Sequence, residues 1–201
     1  MTTAELQANC KFRLHGHPEL PPGKWFKHMA AWTQQAGQSA DRYGGGPLIN
    51  GFEAQLAQLL GKQAAVFMPS GTMAQQIAMR IWCDRAGTSH FGMHPTCHLE
   101  LHEQRGYSHL HGLRATLLGS GQRPLCAPDL MTSQEKLGAI IAELPARELG
   151  GVLPTWDQLE ALKTAARGRD TKLHLDGARL WETRSYYEGR SYNAICSGFD
   201  S

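Results

Sequence analysis

The sequence has no Cys-x-x-Cys pair, no long apolar run and no strong excess of charge of either sign. Its five cysteines (Cys10, Cys83, Cys97, Cys126 and Cys196) are odd in number and irregularly spaced. That usage argues against a disulfide framework and for a reducing compartment, so a cytoplasmic location is expected. No window is long and apolar enough to span a bilayer. The opening "MTTAELQANCKFRLHGHPEL" lacks the apolar centre of a signal peptide. With a formal net charge of +2, no electrostatic case exists for nucleic acid or an anionic membrane as partner. "HEQRG" lacks the second histidine of a zincin site, and no glycine stretch has the lysine and spacing of a P-loop or a convincing dinucleotide fingerprint. Repeats and low-complexity tracts are also missing.

What is present is a globular composition, 41% hydrophobic and 19% charged over 201 residues, enough for one large domain or two small ones. Residues 1–23 read as irregular. "KWFKHMAAW" sets Trp25, Phe26, Met29 and Trp32 on one helical face. "RYGGGPLING" (42–51) reads as a glycine-rich loop, and "FEAQLAQLLG" as a helix with a Phe52, Leu56, Leu59, Leu60 stripe stopped by Gly61. "KQAAVFMPSGT" reads as a short apolar strand ending in a turn. "MAQQIAMRIWC" is predicted to be a broadly buried helix, with apolar residues at 73, 77 and 81 and neighbours at 74, 78 and 82. The middle is less regular: "TSHFGMHPTCHLELHEQRGY" suggests a strand, a loop and a helix start, and "TSQEKL" (132–137) a capped helical turn. "GAIIAELP" and "TKLHLD" read as strands. Between them "TWDQLEALKTAARGRD" is a helix with Thr155 and Gln158 placed as a capping box. "GARLWETRSYYEG" suggests helical turns, and "SYNAICSGFDS" a short helix and the start of a further strand. Strand and helix alternate with crossover-length connections, which predicts an α/β fold with a mainly parallel sheet. Ligands of such sheets bind beyond the carboxyl ends of the strands.

Two loops are expected there. In the first, Ser70, Gly71 and Thr72 stand between a strand and a helix. Unpaired amides at a helix start make an anion site, which Gly71 leaves open to close approach and the two hydroxyls can extend. An ordinary helix cap is the alternative. In the second, Asp176 closes the "LHLD" strand, where a carboxylate needs a partner: Arg179, a backbone amide, a metal or a cationic ring nitrogen. Histidines 90, 94, 98 and 102 recur every four residues, but Gly92 and Pro95 argue against the unbroken helix that a metal site would need. Tyr43 lies in the glycine-rich loop, where functional contacts concentrate.

Together, "ADRYGGGPLINGFEAQLAQLLGKQAAVFMPSGTMAQQIAMRI", "ELGGVLPTWDQLEAL" and "LHLDGARLWE…GFDS" resemble the threonine aldolase branch of the aromatic amino acid β-eliminating lyases. These are pyridoxal phosphate enzymes of the aspartate aminotransferase fold. The resemblance implies a three-layer αβα large domain with a mostly parallel seven-stranded sheet, a small C-terminal domain, and a homodimer or homotetramer. It implies pyridoxal 5'-phosphate as cofactor, with Ser70, Gly71 and Thr72 at its phosphate, His98 stacked on the ring, Asp176 on the pyridine nitrogen and Arg179 near the ring hydroxyl. Tyr43 matches the tyrosine of the active-site loop. The implied reaction cleaves Cα–Cβ of a β-hydroxy-α-amino acid such as threonine or allo-threonine, through a cofactor imine, to glycine and an aldehyde. A histidine around 90–98 is a candidate to take the β-hydroxyl proton. Threonine catabolism and glycine formation are the matching metabolic roles.

Two departures accompany the resemblance. The start "CKFRLHGHPELPPG" lacks the short serine- and arginine-containing motif that helps hold substrate in many members. The Schiff-base lysine is expected a few residues past "GFDS", beyond Ser201, and Lys11, Lys24, Lys27, Lys62, Lys136, Lys163 and Lys172 do not match it. The expectation is therefore a 1–35 arm followed by an incomplete cofactor-binding domain over 36–201, with the small domain absent and little or no turnover. The alternatives are a β-eliminating lyase acting on an aromatic or sulfur-containing amino acid, and a non-catalytic cofactor-binding or dimerising fragment.

Overall fold

The computed structural model describes residues 2, 5, 6, 9, 20–37 and 39–201. The altered start at 10–19, with Cys10 and Lys11, lies outside them. The chain divides into two compact units, Met1–Leu48 and Ile49–Ser201.

In the first unit, α1 (Pro22–Ala36) opens on a proline at its first turn and closes on Gly37 in the left-handed region. Both suit their positions, since a first-turn amide goes unused and glycine has no Cβ to clash. Its predicted apolar face forms, and Trp25, Phe26, Met29 and Trp32 on it are all exposed. Tyr43 follows in a tight turn, exposed and with φ +55°. The glycine-rich loop is shorter than the sequence suggests, because α2 (Pro47–Leu60) already begins at Pro47. Proline fixes φ near its helical value, so it starts a helix readily.

The second unit is built on a parallel sheet in the order β2-β1-β3-β4. The elements after α2 are α3 (Gly71–Ala86), β1 (His90–Met93), α4 (His98–Leu101), α5 (Gly106–His109), β2 (Arg114–Leu117), α6 (Ala127–Met131), β3 (Ala139–Glu143), α7 (Trp156–Gly168), β4 (Lys172–Asp176) and α8 (Tyr192–Cys196). Short 3-10 turns cover Arg147–Leu149 and Leu180–Glu182. Side chains of β3 alternate as a strand requires. Ala139 and Ile141 join Met79, Cys83, Phe91, Leu99 and Tyr107 on one face. Ile140 and Ala142 join Leu130, Leu159, Leu162, Ala166 and Leu173 on the other. Helices thus cover both faces, which is the three-layer arrangement. Layers meet closely at Gly92, where an added Cβ would lie 2.5 Å from Leu118 Cδ1 and 2.7 Å from Ile140 Cγ2.

The capping box of α7 is present: Thr155 Oγ1 accepts from the Gln158 amide and the Gln158 side chain accepts from Thr155 N–H. Three sequence expectations fail. Residues 62–70 form no strand, and Val66 and Phe67 are exposed. A strand needs a neighbour to receive its amides and carbonyls. The free edge of β4 is instead occupied by the "GFDS" segment, whose Asp200 N–H donates to Leu173 O while Ser201 O accepts from Leu175 N–H. Residues 132–137 form no helical turn, because α6 ends at Met131 and Ser133 Oγ accepts the Glu135 amide in a local turn. In α3 the buried positions are Gln76, Met79 and Cys83, while Met73 and Ile81 are exposed.

Candidate functional site

The chain order reverses between β1 and β3, with β2 on one side of β1 and β3 on the other. Beyond the carboxyl ends of these strands and β4 lies a cleft of about 270 Å³, where α/β sheets place ligands. Gly71 and Thr72 line it from the start of α3, His98 from the start of α4, Glu143 from the end of β3, and Asp176 and Arg179 from the end of β4. Four segments separated in sequence by up to about a hundred residues therefore contribute through sheet order rather than proximity along the chain.

Ser70 caps α3, its Oγ accepting the Met73 amide at 3.4 Å. A Cβ on Gly71 would meet nothing within 4 Å, so the first amides of a sixteen-residue helix are open to an anion. Asp176 takes two donors: Gln75 Nε2 at 3.0 Å on Oδ2, and the Ala178 amide at 3.1 Å on Oδ1. Each oxygen keeps a free lone pair. The Arg179 guanidinium is not its partner, and among the described residues that side chain has no hydrogen bond or ion pair, although the Arg179 carbonyl accepts from the Glu182 amide. The buried Gln75 Oε1 has no partner among the described residues either. An acceptor left bare beside the cleft is a group that a bound donor would complete.

The sequence reading missed Glu143. It is in register with Asp176 on the neighbouring strand, and its Oε1 accepts the His98 amide at 2.7 Å. Burial pushes its carboxyl above the ordinary carboxylate value, and the charge of Asp176 adds to this. Glu103, Arg147 and Glu148 also line the cleft unforeseen. Nδ1 of His98 lies 2.9 Å from Glu103 Oε1, and its ring is 5.0 Å from that of His102. Nε2 of His102 lies 3.0 Å from Glu148 Oε1, which lowers the Glu148 carboxyl. Pattern offered one signal: "AIIAE" ends an apolar strand on a carboxylate, as "LHLD" does.

The four histidines do not converge. His90 is paired with Glu135, His94 with Thr96 and Ser120 O. Among the described residues no group of three or more His, Cys, Asp or Glu is placed to hold a metal ion. Burial drives the Cys97 thiol well up, away from a thiolate nucleophile. Lys62 and Lys163 donate to carbonyls of the Cys196 and Ile195 region, and Lys172 pairs with Asp200. Cys83, Cys97, Cys126 and Cys196 are free thiols. No helix among the described residues is long and apolar enough to cross a membrane.

Residues 26–201 match the model of a family described as "Beta-eliminating lyase". A crystal structure described as an L-allo-threonine aldolase of Listeria monocytogenes superposes with a TM-score of 0.87 at 40% identity, covering 94% of this chain and 52% of that one. The aldolase vrtJ of Penicillium aethiopicum is 33% identical over 171 residues, 77% of this chain and 41% of that protein. The low-specificity L-threonine aldolase 1 of Arabidopsis thaliana is 30% identical over 151 residues, 70% of this chain and 42% of that protein. The chain thus spans about half or less of the length of the relatives it matches.

Proposed function

The chain belongs to the β-eliminating lyase family, and from that premise we propose that residues 36–201 are part of the large domain of a threonine-aldolase-like lyase. The family and fold are those of pyridoxal 5'-phosphate enzymes. The residues of the cleft fit that cofactor. An open helix start suits a phosphate, Asp176 retains acceptor capacity for a protonated ring nitrogen, and Gln75 Oε1 awaits a donor. When bound, the cofactor supplies an electron sink for the pair left on Cα as a bond to that carbon breaks.

The chain's own residues would bind and orient. Ser70, Gly71 and Thr72 would hold the phosphate, with hydroxyls supplementing α3 amides. Asp176 would keep the ring nitrogen protonated. Gln75 and the Ala178 amide fix that carboxylate in place. His98 would cover the ring, and Arg179, whose guanidinium has no other partner among the described residues, would serve a ring hydroxyl or a substrate carboxylate. Tyr43, in the first unit, is proposed as an active-site-loop residue on the resemblance alone. The substrate would be a β-hydroxy-α-amino acid, threonine or allo-threonine, yielding glycine and an aldehyde. We place the protein in the cytoplasm, as a homodimer or homotetramer. The exposed apolar face of α1 supports self-association.

The convergence of Asp176 with the start of α3 in one cleft carries this reading. Titrating pyridoxal phosphate into the chain and following absorbance should give saturable binding, weakened roughly tenfold or more by Asp176→Asn, the scale of a charge-assisted hydrogen bond. Equal affinities would refute the assignment of Asp176. Product analysis on a version extended through a Schiff-base lysine would separate the reactions: glycine plus aldehyde for cleavage, pyruvate plus ammonia for elimination.

A further inference from the structure

The lyase reading leaves one buried carboxylate in the cleft without a task. The side chain of Glu103 is 2% exposed. Its Oε1 lies 2.9 Å from His98 Nδ1, and its Oε2 accepts from Gln76 Nε2 at 3.2 Å. An ionised carboxylate can only accept, so the imidazole must donate to it through Nδ1. The lone pair of the ring then resides on Nε2. The turn that places Glu103 is itself unusual. Gln104 and Arg105 follow it with φ of +52° and +53°, a region non-glycine residues occupy mainly under outside constraint. Arg105 is held by an ion pair with Glu100, which also accepts from Tyr107 Oη at 2.6 Å. Of the other carboxylates near His98, Glu143 binds its backbone amide and Glu148 is taken by His102. Glu103 alone among them contacts a ring nitrogen of His98.

We propose that Glu103 is a positioning residue that locks His98 as the Nδ1–H tautomer, leaving Nε2 as a proton acceptor at the cleft. The proposal rests on the lyase reading and deepens it. Nε2 would receive the β-hydroxyl proton of the substrate. The O–H electron pair becomes the second C–O bond of the aldehyde, and the Cα–Cβ pair remains with Cα. Positive charge gained by the imidazole is met at Nδ1 by the Glu103 carboxylate 2.9 Å away.

The test is the imidazole nitrogen-15 spectrum of the labelled 201-residue chain at alkaline pH, without cofactor. His98 of the parent should carry its proton on Nδ1. Glu103→Met, which removes the acceptor at similar volume, should move the tautomer ratio toward Nε2–H by roughly tenfold or more. Glu103→Gln keeps an acceptor oxygen and should restore the ratio in part. An Nε2–H tautomer in the parent, or an unchanged ratio in Glu103→Met, overturns the proposal. If Glu103→Met does not fold, the tautomer of the parent still decides. Failure to bind pyridoxal phosphate with the tautomer intact would count against the lyase reading, and with it the proton-acceptor role, while leaving the Glu103–His98 tautomer lock standing.

Discussion

Acidification should weaken this fold through one histidine more than any other. His174 sits on β4, 8% exposed, with Nδ1 2.9 Å from Ser201 Oγ and Nε2 lacking a partner among the described residues. Burial lowers its pKa from 6.5 to about 4. Between those values the unfolded chain binds a proton that the folded chain refuses, so stability rises with pH across the window. The contribution is complete above pH 6.5 and is lost as pH falls toward about 4. At about 1.36 kcal/mol per pH unit the full loss is about 3 kcal/mol, a large share of the roughly 5–15 kcal/mol that holds a domain together. Urea titrations across this range, parent against His174→Leu, would isolate the effect. The parent should lose stability toward low pH much more steeply than the variant. Asp129, held low by its bidentate Arg123 contact, contributes to both chains equally. Identical pH slopes for parent and variant would refute the reasoning.

Two further substitutions test the packing and the second carboxylate. Gly92→Ala places a methyl group 2.5 Å from Leu118 and 2.7 Å from Ile140, and should cost about 1–3 kcal/mol by overpacking, read as a lower melting temperature. An unchanged melt would mean that the layers yield more easily than their spacing indicates. Glu143→Gln should stabilise the chain at neutral pH. The raised carboxyl of Glu143 makes its ionised form a burden above the ordinary carboxylate value, and the amide oxygen can still accept from His98 N–H. The gain should vanish in acid, where both states are protonated. A loss of stability at neutral pH would show that the charge itself is needed.

Features set by neighbouring residues were legible in the sequence. The Thr155 and Gln158 box, the strand closed by Asp176 and the helix beginning at Gly71 all depend on contacts within a few positions. Residues 62–70 were misread because their apolar rhythm describes a strand only where a second strand accepts its hydrogen bonds, and none does here. The stripe of α3 was misplaced for a related reason: Gln76 is buried not by apolarity but by its bond to Glu103. Glu143 and Glu103 stayed hidden because their meaning comes from register and from a left-handed turn, neither of which has a residue pattern.

The solvent-facing stripe of α1 has a practical consequence. Trp25 and Trp32 lie on it, each about half exposed, among the chain's five tryptophans. Indole emission shifts to shorter wavelength as water leaves the ring. Any event that shields this helix would therefore announce itself in the protein's own fluorescence, without a label and at dilutions where scattering methods fall silent.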